Sequence, residues 1–159
     1  CLNLFFYKDG RERCRNSTEK SSLALEHFMG IESGFPLDRE PHVLAVICRQ
    51  VTLLLGFEAR DAMVSWETKI RDNMAEDRQF LVQVVTVPTK SRLPTGPARL
   101  HLQNRSFCVS CGIPPRVLHS WQLHHLRRFG VINGRFLLRG RHTLRQSWHG
   151  CVCAARLSG

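Results

Sequence analysis

The chain has 159 residues, of which 43% are hydrophobic and 23% are charged, a composition typical of a globular protein. No apolar run reaches the roughly 20 residues that a membrane-spanning helix needs. The formal net charge is +10 and arises in the second half, because 13 of the 23 basic residues follow Asp77 and no acidic residue does. This asymmetry predicts an anionic partner, namely nucleic acid, anionic lipid or a phosphorylated peptide.

The first 76 residues show short strand patterns followed by one helix. Aromatic or aliphatic runs end at turn residues, and then Met63, Trp66 and Ile70 recur at steps of three and four residues between charged positions. The predicted elements are strands over 2–7, 22–31, 43–48 and 51–57 and a helix over 60–74. A polar joint follows the helix, so this part predicts a first small α+β unit.

Strand patterns resume after the joint and continue without a second long helix. Asn133-Gly134 is a strong hairpin signal between two of them. The predicted strands cover 80–87, 98–102, 106–110, 117–123, 126–129 and 135–138. We therefore expect an α+β, mainly β protein with units over 1–76 and 77–142, and a tail over 143–159 in which no further element is predicted.

Catalytic and metal chemistry find little support in the sequence. Cys108 and Cys111 have the spacing of a zinc or redox pair, but a strand directs alternate side chains to opposite faces, so structural thiols are the favoured interpretation. The adjacent His124 and His125 on a strand would also point apart. The acid-free second half lacks a carboxylate to orient a histidine. We expect no enzyme activity, no metal and no cofactor.

Arg127 and Arg128 stand between apolar residues, just before the hairpin signal. One interpretation is a charged strand edge that prevents aggregation. The other is a phosphate receptor, since guanidinium groups match phosphate geometry and two arginines balance the charge of a phosphotyrosine. The residues themselves leave both interpretations open.

Several segments resemble one known family. Residues 121–130 (WQLHHLRRFG) with FLL at 136–138 are similar to the centre of an insulin-receptor-substrate-type phosphotyrosine-binding (PTB) domain. The helix with Trp66 resembles the closing helix of a pleckstrin-homology (PH) domain, and GPARLHL at 96–102 and IPP at 113–115 resemble segments of the docking proteins that act downstream of tyrosine kinases. The resemblance implies a PH–PTB tandem that lacks the first PH strands and the C-terminal PTB helix.

The resemblance also implies site residues. The phosphate-binding arginine of the family corresponds to Arg127, with Arg128 beside it; a second family arginine corresponds to Arg141 after a shift of one residue and to His142 without it. Basic residues of the phosphoinositide pocket correspond to Lys8, Arg11 and Arg13.

The implied function is a non-catalytic adaptor that binds a phosphotyrosine segment of a receptor tyrosine kinase. Within the family, the resemblance favours the muscle-specific kinase at the neuromuscular junction. It further implies a phosphoinositide membrane surface as a partner and a homodimer through the PH-like part. We expect a cytoplasmic protein, because its start lacks the features of a signal peptide. The resemblance implies that this protein is peripheral at the plasma membrane of the synapse. The alternative is a small basic nucleic-acid-binding module, which predicts exposed aromatic residues among the arginines.

Overall fold

The computed structural model describes residues 3–8, 11, 20–74, 77–86, 94–132, 135–140 and 151–155. These residues form mainly β-structure with one α-helix, which confirms the predicted fold class. The first strands are β1 (Asn3–Phe6), β2 (Ser21–Ala24), β3 (Phe28–Leu37), β4 (Glu40–Cys48) and β5 (Thr52–Phe57), followed by the helix α1 (Arg60–Asn73). The later strands are β6 (Asp77–Thr86), β7 (Gly96–Gln103), β8 (Ser106–Cys111), β9 (Arg116–Gln122), β10 (Leu126–Ile132), β11 (Arg135–Gly140) and β12 (Cys151–Ala155).

The first part of the chain forms two small antiparallel sheets. β1 pairs with β2, and β3, β4 and β5 form a three-stranded meander. The strand predicted over 22–31 is wrong as a single element: it is two strands, because His27 takes a left-handed backbone conformation with φ of 54° and turns the chain.

Helix α1 closes the core of the three-stranded sheet. Met63 and Ile70, two of its apolar positions, are each 3% exposed and pack among the buried side chains of β3 and β4. Trp66 is 44% exposed, and its ring lies 6.3 Å from that of Phe57 at the border of this core. The apolar face of α1 is therefore buried at Met63 and Ile70, whereas Trp66 lies at the border of the core.

The second part forms a seven-stranded antiparallel sheet in the order β10-β11-β12-β6-β7-β8-β9. Its core cluster comes from β6, β7 and β8, and Phe107 stacks on Trp121 of β9 at 4.9 Å between ring centroids. The tail, for which no element was predicted, contributes β12, which pairs with β11 on one side and with β6 on the other. Residues 151–155 thus join the β10–β11 hairpin to the rest of the sheet.

The two large sheets pack on each other through β3. Met29 and Ile47 of the three-stranded sheet form a buried cluster with Cys108 of β8, and Val117 packs against it. The side-chain amide of Gln79 also donates a hydrogen bond to the backbone oxygen of Ile31. Among the described residues, no helix is both long enough and apolar enough to cross a bilayer.

Candidate functional site

The predicted arginine pair lies on β10, at one end of the seven-stranded sheet. Within the strands that the structure describes, β10 pairs only with β11. An edge strand presents backbone N–H and C=O groups to which an extended peptide can pair. The location of Arg127 and Arg128 therefore combines two basic residues with a strand edge to which no other described strand pairs.

Arg127 occupies a bulge in this edge strand. Leu126 pairs with Gly140 and Arg128 pairs with Arg139, so Arg127 has no opposing residue on β11. A β-bulge bends a strand and interrupts its ladder, and bulges are frequent next to functional sites. Arg127, to which the family resemblance assigns the phosphate contact, is thus the residue at which the edge strand is irregular.

The other predicted basic residues are only partly described. Arg141 and Arg13 lie outside the described residues. Gly140, which precedes Arg141 in the sequence, pairs with Leu126 next to the bulge. Lys8 follows β1, and both Lys8 and Arg11 are exposed. The structure therefore locates Arg127 and Arg128 in β10, and both the phosphate site and the phosphoinositide site stay predictions.

Neither the cysteine pair nor the histidine pair lies in a described metal site. Cys108 is fully buried between the sheets and Cys111 is half-buried at the end of β8. Within the described part of the chain, no group of three or more potential ligands could hold a metal ion. His124 and His125 lie in a 3-10 turn before β10, so their expected placement on a strand is wrong. This turn connects β9, at one end of the strand order, to β10, at the other end.

A buried polar network between the sheets was not predicted. Glu32 on β3 accepts a hydrogen bond of 2.5 Å from the Ser110 hydroxyl, and its Oε1 lies 3.1 Å from Nε2 of His101. Its Oε2 lies 3.2 Å from Nε of Arg99. Burial raises the pKa of Glu32, but hydrogen bonds from His101 and Ser110 and the charges of His101 and Arg99 outweigh it, so the pKa is lowered. The network holds an ionised carboxylate across the interface.

Serine, histidine and glutamate invite comparison with a hydrolase triad, but their geometry differs. In a triad one ring nitrogen of the histidine faces serine and the other faces the acid. Here Nε2 of His101 lies 2.9 Å from Ser110 Oγ and also contacts Glu32, while the serine hydroxyl donates directly to the carboxylate. His101 and Ser110 have no solvent exposure. The arrangement is suited to joining two sheets and has no opening for a substrate.

The chain is similar in sequence to three known proteins. Over 140 residues, or 88% of the chain, it is 39% identical to Protein Dok-7 of Mus musculus and to Protein Dok-7 of Homo sapiens. It is 32% identical to Protein Dok-7 of Takifugu rubripes over the same length. The search of family models finds no match. Over the matched segment, the chain belongs to the Dok-7 family.

The chain spans 27% of the length of each of these relatives, so the match concerns a limited part of them. The strand order of the seven-stranded sheet puts β10, the strand that contains Arg127 and Arg128, at one end of the sheet.

The buried network could have left only a weak signal in the sequence. The apolar residues of β7 and β8 alternate with His101 and Ser110, so the local pattern assigns these two polar residues to the opposite, exposed face of the sheet. In the structure β3 covers that face, and Glu32 contacts both residues there. This contact depends on packing between β3, β7 and β8, which the sequence does not reveal.

Proposed function

We propose that the chain is the phosphotyrosine-binding part of a non-catalytic docking adaptor. Its ligand would be a phosphotyrosine segment of a receptor tyrosine kinase. The resemblance within the docking family favours the muscle-specific kinase at the neuromuscular junction. The observation that carries this proposal is the bulged Arg127, followed by Arg128, on the edge strand β10.

The peptide would add to the sheet as a further strand beside β10. Backbone hydrogen bonds supply affinity in this mode, and side-chain pockets supply specificity. β10 is suited to it because its ladder with β11 extends over Leu126 to Ile132 and leaves the opposite edge without a strand among the described residues. Beyond the bulge at Arg127 this ladder is continuous and holds the edge in place, which lowers the entropy lost on binding.

The phosphate would be held by Arg127, with Arg128 or Arg141 as the second cation. A phosphotyrosine carries about −1.5 to −2 charges and three acceptor oxygens, so it needs more than one donor group. The second half supplies no acidic residue after Asp77 that could compete for these arginines. Charge-assisted hydrogen bonds of this type contribute about 1.5 to 3 kcal/mol each.

The first part of the chain would support this function at the membrane. We propose that Lys8, Arg11 and Arg13 contact phosphoinositide head groups and that this part takes part in homodimer formation. Such contacts would keep the adaptor peripheral at the cytoplasmic face of the plasma membrane, where a receptor kinase presents its phosphorylated segment. Each basic residue near an anionic leaflet contributes about 1 kcal/mol.

Fluorescence anisotropy with a phosphotyrosine peptide and its unphosphorylated twin tests the proposal. We expect binding of the phosphorylated peptide alone, and a loss of about tenfold or more on Arg127→Gln, which corresponds to at least about 1.4 kcal/mol. Arg105→Gln is the matched control, because Arg105 is an exposed arginine in the turn between β7 and β8. Its effect should be small.

Three outcomes would contradict the proposal. Equal binding of the two peptides would remove the role of phosphate. A similar loss for Arg127→Gln and Arg105→Gln would mean that the overall positive charge, and no particular site, attracts the peptide. Tight and strongly salt-dependent binding of random oligonucleotides in place of the peptide would favour the nucleic-acid alternative.

A further inference from the structure

Two turns from different sheets enclose a cleft away from β10. One is the turn between β4 and β5, with Arg49, Gln50 and Val51; the other leads from β8 into β9. The cleft has a volume of about 340 Å³. Its lining includes Cys48, Arg49, Val51, Pro114 and Arg116. The site exists only because the two sheets pack together.

The charge of the cleft is positive. Arg49 comes from one sheet and Arg116 from the other, and both are exposed. Neither guanidinium has an ion-pair partner among the described residues, and no acidic residue lines the cleft. Burial raises the pKa of the Cys48 thiol, so this group stays neutral and brings no negative charge. The cleft is therefore complementary to an anion such as a phosphate group.

Each turn also exposes a large aliphatic side chain beside its arginine. Val51 is 46% exposed, and Ile113, next to Pro114, is 68% exposed. A soluble phosphate ligand would engage the arginines but would leave these two side chains in water. A bilayer surface accepts both kinds of group, because aliphatic side chains enter the head-group region while cations bind lipid phosphates. The combination favours a lipid surface over a soluble anion.

We propose that this inter-sheet cleft is a contact site for an anionic phospholipid surface. Arg49 and Arg116 bind lipid phosphates, and Val51 and Ile113 enter the membrane interface. The site uses none of Lys8, Arg11, Arg13 or the β10 arginines, so it adds a membrane contact to the function proposed above. Because both sheets contribute to it, membrane contact would depend on their packing as one unit, which would fix the orientation of the second sheet at the bilayer.

Vesicle co-sedimentation of the full chain tests the proposal. The vesicles contain phosphatidylcholine with or without phosphatidylserine. We expect binding only to the anionic vesicles, and a loss of about thirtyfold on the double substitution Arg49→Gln/Arg116→Gln, since each basic residue near an anionic leaflet contributes about a fivefold factor. Arg39→Gln/Arg105→Gln is the matched control, because it removes the same charge from exposed turns of the same two sheets.

A second pair of variants tests the aliphatic contacts. Val51→Ser and Ile113→Ser leave the charge unchanged and should each weaken vesicle binding severalfold. Inorganic phosphate, the soluble anion, should compete only weakly with the vesicles. Equal losses for the two double arginine variants, no effect of either serine variant, or complete competition by phosphate would overturn the proposal.

The phosphotyrosine peptide serves as an independent reading in the same samples. Arg49→Gln/Arg116→Gln should bind it as the unsubstituted chain does, which shows that the variant is folded. If the peptide binds to no variant, the proposed function fails, while thermal unfolding still reports folding and the vesicle comparison still tests the cleft.

Discussion

Replacing Glu32 with glutamine removes the charge from a buried carboxylate that contacts both large sheets. Oε1 interacts with Ser110 and His101, which have no solvent exposure, and Oε2 pairs with Arg99, whose side chain is 42% exposed. The Arg99 pair is screened by solvent and contributes at most about 1 kcal/mol. The two buried bonds to a charged acceptor contribute about 1.5 to 3 kcal/mol each, and glutamine keeps one neutral acceptor oxygen. We therefore expect the free energy of unfolding to fall by about 2 to 4 kcal/mol.

Thermal and urea unfolding measure this change. For a chain of this size, 1 kcal/mol corresponds to about 2 to 4 °C, so Glu32→Gln should lower Tm by about 5 to 15 °C. Glu58→Gln is the matched control, because Glu58 is exposed and has no ion-pair partner among the residues described. Its effect should stay within about 0.5 kcal/mol.

The difference between the unsubstituted chain and Glu32→Gln should depend on pH in one direction. The pKa of Glu32 is lowered in the folded state, so its contribution is present above the unfolded value of about 4.3 and is lost as the pH falls through the lower folded value. Burial lowers the pKa of His119, and its protonation destabilises both proteins alike below about pH 6.5. The titration of His119 therefore cancels from the difference, which reports Glu32 together with its contact to His101.

A double-mutant cycle of Glu32→Gln with Ser110→Ala tests whether the stability comes from the hydrogen bond between these two side chains. Because the Ser110 hydroxyl donates to Glu32, the two substitutions should be less than additive by about 0.5 to 3 kcal/mol. The reasoning is refuted if Glu32→Gln is no less stable than Glu58→Gln, if the difference persists unchanged well below pH 4, or if the cycle shows no coupling.

Three further predictions concern the cores and the sheet. Phe107→Ala should lower the free energy of unfolding by about 3 to 5 kcal/mol, because its ring is 2% exposed and stacks on Trp121; a loss below about 1 kcal/mol in urea unfolding would contradict this. In the native protein, peptide mass spectrometry should find Cys111 alkylated before Cys48, which is 4% exposed and has a raised pKa; the reverse order would disprove it. Truncation after residue 150 should abolish cooperative unfolding of the second sheet, because β12 links β11 to β6; an unchanged denaturant slope would refute that link.

Local patterns predicted much of the fold. Steps of three and four residues located α1, and the hairpin of β4 and β5 lies where two apolar runs flank a short polar pair. Such elements can be predicted because the spacing of apolar residues within each element matches the periodicity of a helix or a strand. β12 was not predicted, since a five-residue strand in an otherwise irregular tail has too little periodicity to stand out.

Among the candidate sites, too, the local one was predicted from the sequence and the ones that join distant residues were not. The sequence and its resemblance to a family indicated Arg127 and Arg128, because adjacent residues of one strand form a local motif. The Arg49–Arg116 cleft and the Glu32 network each join residues more than 60 positions apart. No local pattern reports such contacts.

The mainly β character, the amphipathic helix α1, the concentration of positive charge after Asp77 and the family resemblance can all be read from the sequence. The position of β10 at the end of the sheet, the bulge at Arg127 and the burial of Glu32 against His101 become visible in the folded chain. The two groups of features differ in the range of the interactions that produce them. Periodicity and charge are properties of neighbouring residues, whereas edges, registers and buried polar contacts arise when distant strands pair and pack.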